Sequence, residues 1–367
     1  MTQALHLARP AAEPTPLAAE RVARAKRAYT TRHFATAELH ALHTDPAARP
    51  HPGDLVLARV ERIGKHAALE LTDSRRATLF AGDEVLVAYA ERYAPDQFEA
   101  HVPESLAPCH LAASGGVAAT VVARRAGVVA PTELQPLGLV LGADGQRLNL
   151  RHKALPRAGG FGPRPLTLAS LGTSMNAGKT TSAAHLIHGL VRSGLRVGAA
   201  KITGTGSGND PGLLRDAGAA HVLDFTDCGH ASTAGLDLDS LLAVLHTVQA
   251  QMQAQAVDTL VLEVADGLLQ RETALLLRSP LFRQRVDGCL FSSGEALGAV
   301  AGARWLLDHE LPLLALSGAM TRSPLAAREA ADATGLAVLG LEQLRDTATV
   351  RGLLARAGGH GRRAEAA

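Results

Sequence analysis

The chain has 367 residues, 47% of them hydrophobic, and a formal net charge of +2. That length can bury a sizeable core and predicts two domains, while near-neutrality gives no push toward nucleic acid or an anionic membrane. Cys109, Cys228 and Cys289 offer no paired disulfide framework, the first residues lack a signal-peptide core, and no apolar run spans a bilayer, so a reduced, cytoplasmic protein is expected.

Residues 1–16 are rich in Ala and Pro and are predicted to be disordered. From Leu17 to His43 the pattern predicts a helix with a basic face of Arg21, Arg24, Lys26, Arg27 and Arg32. Glu20 and Glu38 interrupt that charge, so it reads as a solvated face rather than a nucleic-acid arm. Turn residues at 50–54 open a β-rich section. DLVLARVERI, HAALEL, RATLF and EVLVAYA are spaced like the strands of a small antiparallel barrel or curled sheet. An irregular stretch holding Tyr93 and Phe98 follows, then a strand in GGVAATVVARRAGVV. Residues 17–150 are thus predicted as a helix plus a β-rich, barrel-like accessory domain. Residues 151–165, with Gly, Pro and positive charge, are predicted as a linker.

From 166 to 357 strand and helix patterns alternate, which predicts an α/β domain with a mostly parallel sheet covered on both faces. Strands are expected at 195–201, 219–225, 287–293 and in VDTLVLEV, LPLLALSG and GLAVLG. Helices are expected at 239–255 with a cap at Asp239-Ser240, at 295–308, after Ser323-Pro324 and near 341–357. Residues 358–367 are predicted to form a loose tail.

This domain opens with an apolar strand containing Leu166, Leu168 and Leu171, a loop of small residues, and then GKTT at the head of an Ala- and Leu-rich helix. Strand, Gly-bounded loop and GK[ST] helix make up a phosphate loop: backbone N–H groups turn inward and the helix N-terminus adds its positive end. The expected nucleotide contacts are Gly172, Thr173, Asn176, Ala177, Gly178, Lys179, Thr180 and Thr181. Lys179 is placed on the outer phosphates and the Thr180 hydroxyl on Mg²⁺. Five residues separate Gly172 from Gly178, one more than the usual spacing.

Acidic groups must accompany such a loop. Glu263 and Asp266 emerge at the end of the strand VDTLVLEV, the edge of an open α/β sheet where ligands bind. Glu263 is the expected Mg²⁺ contact, and Asp266 is a second one or a turn residue before Gly267. AAKITGTGSGND ends another strand: Gly204, Gly206 and Gly208 predict a mobile loop, and Asp210 is a further candidate for Mg²⁺. Asp224, Asp227, Cys228 and His230 crowd together, with Cys109-His110 far off. That spacing is poor for structural zinc, and Asp224 or Asp227 reads better as a substrate contact or a cap. No N-K-x-D string reads guanine, so ATP is the default nucleotide, and the loop in ALSGAMTRSP is a candidate lining for the base.

GTSMNAGKTT resembles the loops of dethiobiotin synthetase and of the ATPase part of cobyric acid synthase, which share the longer spacing. LEVADG resembles the E-G-A-G-G element of dethiobiotin synthetase, with Asp266 where that family has glycine. The resemblance covers roughly 166–340. It implies that Lys201 reaches toward the γ-phosphate and that Lys179, Lys201 and Glu263 form the catalytic set. AAKITGTGSGND, VLDFTDCGHAST and LEVADGLLQRET together also look like an uncharacterised P-loop family related to D-glutamate N-acetyltransferases. That likeness implies an alternative in which the loop cradles the pyrophosphate of a CoA thioester.

The leading expectation is an ATP- and Mg²⁺-dependent enzyme that activates a small-molecule carboxylate or carbamate for C–N bond formation. CoA-dependent acyl transfer is one alternative, and a nucleotide-dependent adaptor or metallochaperone is another. A small-molecule substrate is the expected partner, with no nucleic acid and no membrane; a homodimer stays open.

Overall fold

The structure, a computed structural model, describes residues 13–158 and 162–364, with side chains described as far as residue 359. Residues 1–12 of the predicted disordered segment, 159–161 of the predicted linker and 365–367 of the predicted tail lie outside that range. Thr15–Pro16 is a short strand against Ala41–His43. The C-terminal helix Thr347–Ala364 runs on through most of the segment predicted as a loose tail.

The predicted 17–43 helix is not one element. It reduces to Ala19–Arg24, after which Ala25 turns extended and single 3₁₀ turns form at Tyr29–Thr31 and Thr36–Glu38. Tertiary contacts override helix propensity here. Val22, Ala25, Ala28, Tyr29 and Phe34 all need burial, and one helix stripe cannot supply it. The basic residues are drawn to carboxylates: Arg21 pairs with Glu84 at 2.7 Å and Lys26 contacts Asp83.

In the β-rich section Thr132–Leu141 pairs with Leu55–Arg62, which pairs with Glu84–Tyr89. Val117–Arg124 comes next, then Cys109–Ala113, which returns to Thr132–Leu141. The ladder closes on itself, with one parallel pair (Val117–Arg124 on Glu84–Tyr89) where an antiparallel arrangement was expected. Alternate residues face opposite sides of each strand. Val56, Ala58, Val60, Val85, Val87, Leu111 and Leu134 share one core. Leu55, Leu57, Leu86 and Ala88 share another, covered by Phe34, Leu39 and Leu42 of the N-terminal segment. Strands Phe98–His101 and Arg92–Tyr93 extend from Val117–Arg124, giving order to a stretch that reads as irregular in sequence.

The second sheet has six strands in the order His221–Asp224, Val197–Lys201, Thr259–Glu263, Leu166–Gly172, Gly288–Ser292, Leu313–Ser317. Every pairing in it is parallel. Its strands are apolar runs because both faces are covered. One face packs the helices Leu238–Ala254 and Ala296–Asp308 through Leu241, Leu245, Val248 and Ala303. The other packs Lys179–Arg192 and the C-terminal helix through Leu186, Ile187, Val350 and Leu353. Full burial of each such aliphatic side chain contributes roughly 1.5–3 kcal/mol. GLAVLG adds no strand; only Val338 bridges Leu316. The cap of Leu238–Ala254 is Asp237, accepting from the Ser240 N–H at 2.8 Å, rather than Asp239-Ser240.

A polar seam joins the two units. The Tyr29 hydroxyl donates to Asp224 at 2.7 Å, while Arg32 and His33 reach Asp227 at 2.6 and 2.7 Å. Glu70, 1% exposed, accepts from the Ser114 and Ser207 hydroxyls, the Gly208 N–H and the Asn209 amide. Gly115 lies against Gly206 so closely that a Cβ on it would meet the Gly206 carbonyl oxygen at 1.9 Å.

Candidate functional site

The phosphate-loop strand lies between Thr259–Glu263 and Gly288–Ser292. Register does the positioning: Glu263 stands opposite Ser170 on one side and Lys201 on the other. The strand ends therefore deliver a carboxylate and a lysine to the mouth of the loop. Gly178 enters the helix Lys179–Arg192 at φ +98°, a left-handed conformation that favours glycine. The turn it makes points Lys179, Thr180 and Thr181 into a cleft of about 630 Å³.

Lys179, Thr180, Thr181, Asn176, Gly178, Lys201, Asp210, Glu263 and Asp266 all line that cleft. Gly172, Thr173 and Ala177 do not. The Thr173 N–H is spent on the Ser292 carbonyl at 3.0 Å, and the Ala177 carbonyl accepts the Ala319 N–H at 2.9 Å. That second bond ties the phosphate loop to Gly318–Arg322, and Gly318, Ala319, Thr321 and Arg322 form part of the cleft wall. Met175, Ser182, Asn209, Leu213 and Leu341 complete the lining and were not singled out in the sequence.

The charges in the cleft offset one another unequally. Thr180 Oγ1 donates to Glu263 Oε1 at 2.9 Å, and Lys201 contacts Asp210 while standing 3.9 Å from Glu263. Lys179 Nζ donates to the Ser174 carbonyl at 2.6 Å. Burial pulls the Lys179 ammonium below its ordinary range, with Asp266 and Glu263 opposing. Burial acts the same way on Lys201, but Asp210 and Glu263 reverse it and the net direction is up. Burial raises Glu263, only partly countered by Lys201. Its Oε2 is buried without a hydrogen-bond partner among the described residues. An orphaned carboxylate oxygen beside a threonine hydroxyl at a phosphate loop fits a Mg²⁺ ion, a hard cation that favours such oxygen ligands.

The predicted mobile loop is pinned. Glu70 holds Ser207, Gly208 and Asn209, the Gly206 N–H bonds the Ala231 carbonyl, and Asn209–Asp216 is helical, so Asp210 is delivered on an ordered element. Asp224 and Asp227, candidates for substrate binding, are occupied by Tyr29, Arg32 and His33 of the seam. Cys109 is buried in the N-terminal core, away from Cys228 and His230. Among the described residues no group of three or more His, Cys, Asp or Glu side chains is arranged to hold a metal ion.

No family model and no curated protein matches the chain. Among solved structures it is similar to the signal recognition particle 54 kDa protein from Aeropyrum pernix K1 in complex with GDP. That match has a TM-score of 0.37 and 16% identity over 54% of this chain and 50% of that one. The signal recognition particle receptor FtsY from Elizabethkingia anophelis in complex with GDP gives 0.36 and 15% over 56% and 68%. A second structure of that receptor gives 0.36 and 15% over 57% and 69%. The chain thus spans half the length of the first of these, and likeness at this level carries no weight for function. What the chain itself shows is an α/β unit: a six-stranded parallel sheet with a Gly-bounded loop leading from Leu166–Gly172 into the helix Lys179–Arg192. No helix among the described residues is long and apolar enough to cross a membrane.

Proposed function

We propose that the protein is a Mg²⁺-ATP-dependent enzyme that activates a small-molecule carboxylate or carbamate for C–N bond formation. One observation carries the reading: Lys179, Thr180, Lys201, Asp210, Glu263 and Asp266, from separate elements, meet in a single cleft. In this reading the nucleotide is a substrate. A carboxylate oxygen of the second substrate bonds the γ-phosphorus, the bond to the β–γ bridging oxygen breaks, and ADP leaves with its electron pair. An amine nitrogen then bonds the activated carbon, phosphate departs, and the nitrogen's proton passes to solvent.

Lys179 and Lys201 stabilise the negative charge that spreads over the phosphoryl oxygens, and they work well because the lysines are already in place. Thr180 and Glu263 would hold Mg²⁺, with Asp210 and Asp266 lining the same cleft. The ion would supply charge neutralisation. Glu70 acts at a distance by fixing the segment that presents Asp210.

Calorimetric titration with ATP, GTP and acetyl-CoA, each with and without Mg²⁺, tests this. Mg²⁺-dependent ATP binding, with GTP weaker, is expected. Binding of acetyl-CoA alone would replace the proposal with acyl transfer. Slow ATP hydrolysis that only a protein partner stimulates would replace it with an adaptor.

A further inference from the structure

Where the N-terminal sheet meets the P-loop unit lies a second, smaller cavity of about 180 Å³. It shares Met175, Lys201, Asn209 and Asp266 with the nucleotide cleft, so the two spaces adjoin along those residues. Its far wall is Arg92, 7% exposed.

Arg92 is an unusual buried cation. Its Nη1 contacts the Ala112 carbonyl and lies 3.2 Å from His66 Nε2, and its Nη2 donates to Gln97 Oε1 at 2.9 Å. All of these acceptors are neutral groups. Among the described residues no carboxylate oxygen lies within 4.0 Å of it, and its Nε is buried without an acceptor. His66 and Gln97 line the same cavity, so the guanidinium is held on its wall by neutral hydrogen-bond partners, and Asp266 acts on it only through space. Burial lowers its pKa to about 10, which still leaves it fully charged at neutral pH. A desolvated cation is costly unless it is paired, and guanidinium matches a carboxylate in shape as well as charge.

We infer that this cavity is the acceptor-substrate site and that Arg92 anchors a carboxylate of the substrate, directing its other end toward Lys201 and the nucleotide. The inference rests on the enzyme reading above and gives it a substrate class: small, carboxylate-bearing molecules. A singly charged carboxylate suits the cavity better than a phosphate dianion, because Asp266 and Glu70 also line it and would repel the second charge. Glu70 already accepts four hydrogen bonds and is committed to the seam. Arg92 is therefore the group left to receive the ligand.

The test uses full-length protein saturated with Mg²⁺ and a non-hydrolysable ATP analogue, titrated with acetate, propionate, succinate, neutral succinamide and inorganic phosphate. The Arg92 Nε–H resonance, assigned by its loss in Arg92→Lys, is followed by NMR alongside calorimetry. At least one of the carboxylates should bind saturably and shift that resonance, while succinamide does not. Arg92→Gln should weaken carboxylate binding by about tenfold or more, with affinity for the nucleotide analogue unchanged. Unaltered carboxylate affinity in Arg92→Gln, absence of any binding to the wild type, or a preference for phosphate would each overturn the inference. If Arg92→Gln does not fold, the wild-type resonance decides alone: a saturable ligand that leaves it unmoved overturns the assignment. Failure of nucleotide binding in the wild type would instead overturn the enzyme reading itself.

Discussion

The phosphate-loop cleft and the interdomain seam both bury charge, and they treat it in opposite ways. In the seam the charges are used up: Asp227 takes Arg32, His33 and a backbone N–H, and Glu70 takes four donors. In the cleft Glu263 keeps an oxygen without a partner, and Lys179 settles for a backbone carbonyl. Burial without satisfaction is expensive, so it persists where a ligand completes the set. Saturated charge holds the two units together, and the incomplete set in the cleft is what the proposed ligand would complete. Arg92 lies at the seam but belongs with the cleft by this criterion.

The sharpest way to break that division is Glu263→Gln. Turnover should fall by about 10²–10³-fold, with far less change in nucleotide affinity. Steady-state kinetics beside calorimetry would read this, and unchanged turnover would remove Glu263 from the mechanism. Asp227→Ala should do the reverse. It should cost about 3 kcal/mol of stability by denaturant titration, at the low end for a broken buried pair because Asp224 still faces Arg32 at 3.5 Å. Nucleotide affinity of the folded fraction should hold; a selective loss of affinity would put Asp227 in the site.

Lys179→Ala should weaken nucleotide binding by roughly 10–100-fold, one charge-assisted bond to phosphate, with the melting temperature little changed. Retained tight binding would sink the phosphate-loop assignment. Glu70→Gln should cost about 1–2 kcal/mol, since an amide cannot accept all the donors now aimed at the carboxylate. Faster hydrogen exchange at residues 204–209 is the accompanying sign, and unchanged protection there would show that the loop is held by other contacts.

The smallest effect, read per pH unit, concerns His66 and His230. Burial first, then Arg92 for His66 and Arg151 for His230, lowers each to about 4. The fold keeps both neutral while the unfolded chain protonates them below the ordinary value of 6.5. Their contribution is therefore present above pH 6.5 and is lost as pH falls from there toward 4. Denaturant midpoints measured across that window should slope downward on acidification, and His230→Gln should flatten the slope; an identical slope in the variant would exclude His230 as a source.

The cleft was legible in the sequence because its parts are local. GKTT sits in one stretch, and Glu263 and Lys201 end apolar strands that the parallel arrangement must align. Details that turn on hydrogen bonds were not legible: nothing in GTSMNAGKTT says that the Thr173 N–H is given to Ser292. Glu70, Arg92 and Tyr29 lie in ALEL, ERY and RAYT, which carry no motif. Each acquires its role from a partner far along the chain. The same cause explains the loop at 204–209: its glycines predict motion, and the carboxylate that holds it comes from another sheet. Asp237 and Asp239 are both fair caps in LDLDS, and only backbone geometry chooses between them. The short apolar run GLAVLG has one bridge where a strand needs a ladder.

The Tyr29–Asp224 bond joins residues separated by 195 positions. At the ordinary pace of synthesis, roughly 5–20 residues per second, about 10–40 s pass between the appearance of one and of the other. The N-terminal unit is complete once residue 150 is made, so for the remaining 74 positions to Asp224, about 4–15 s of that interval, Tyr29 and Arg32 wait without these partners. The gene's translation rate thus sets how long the first half of the molecule must survive unlatched.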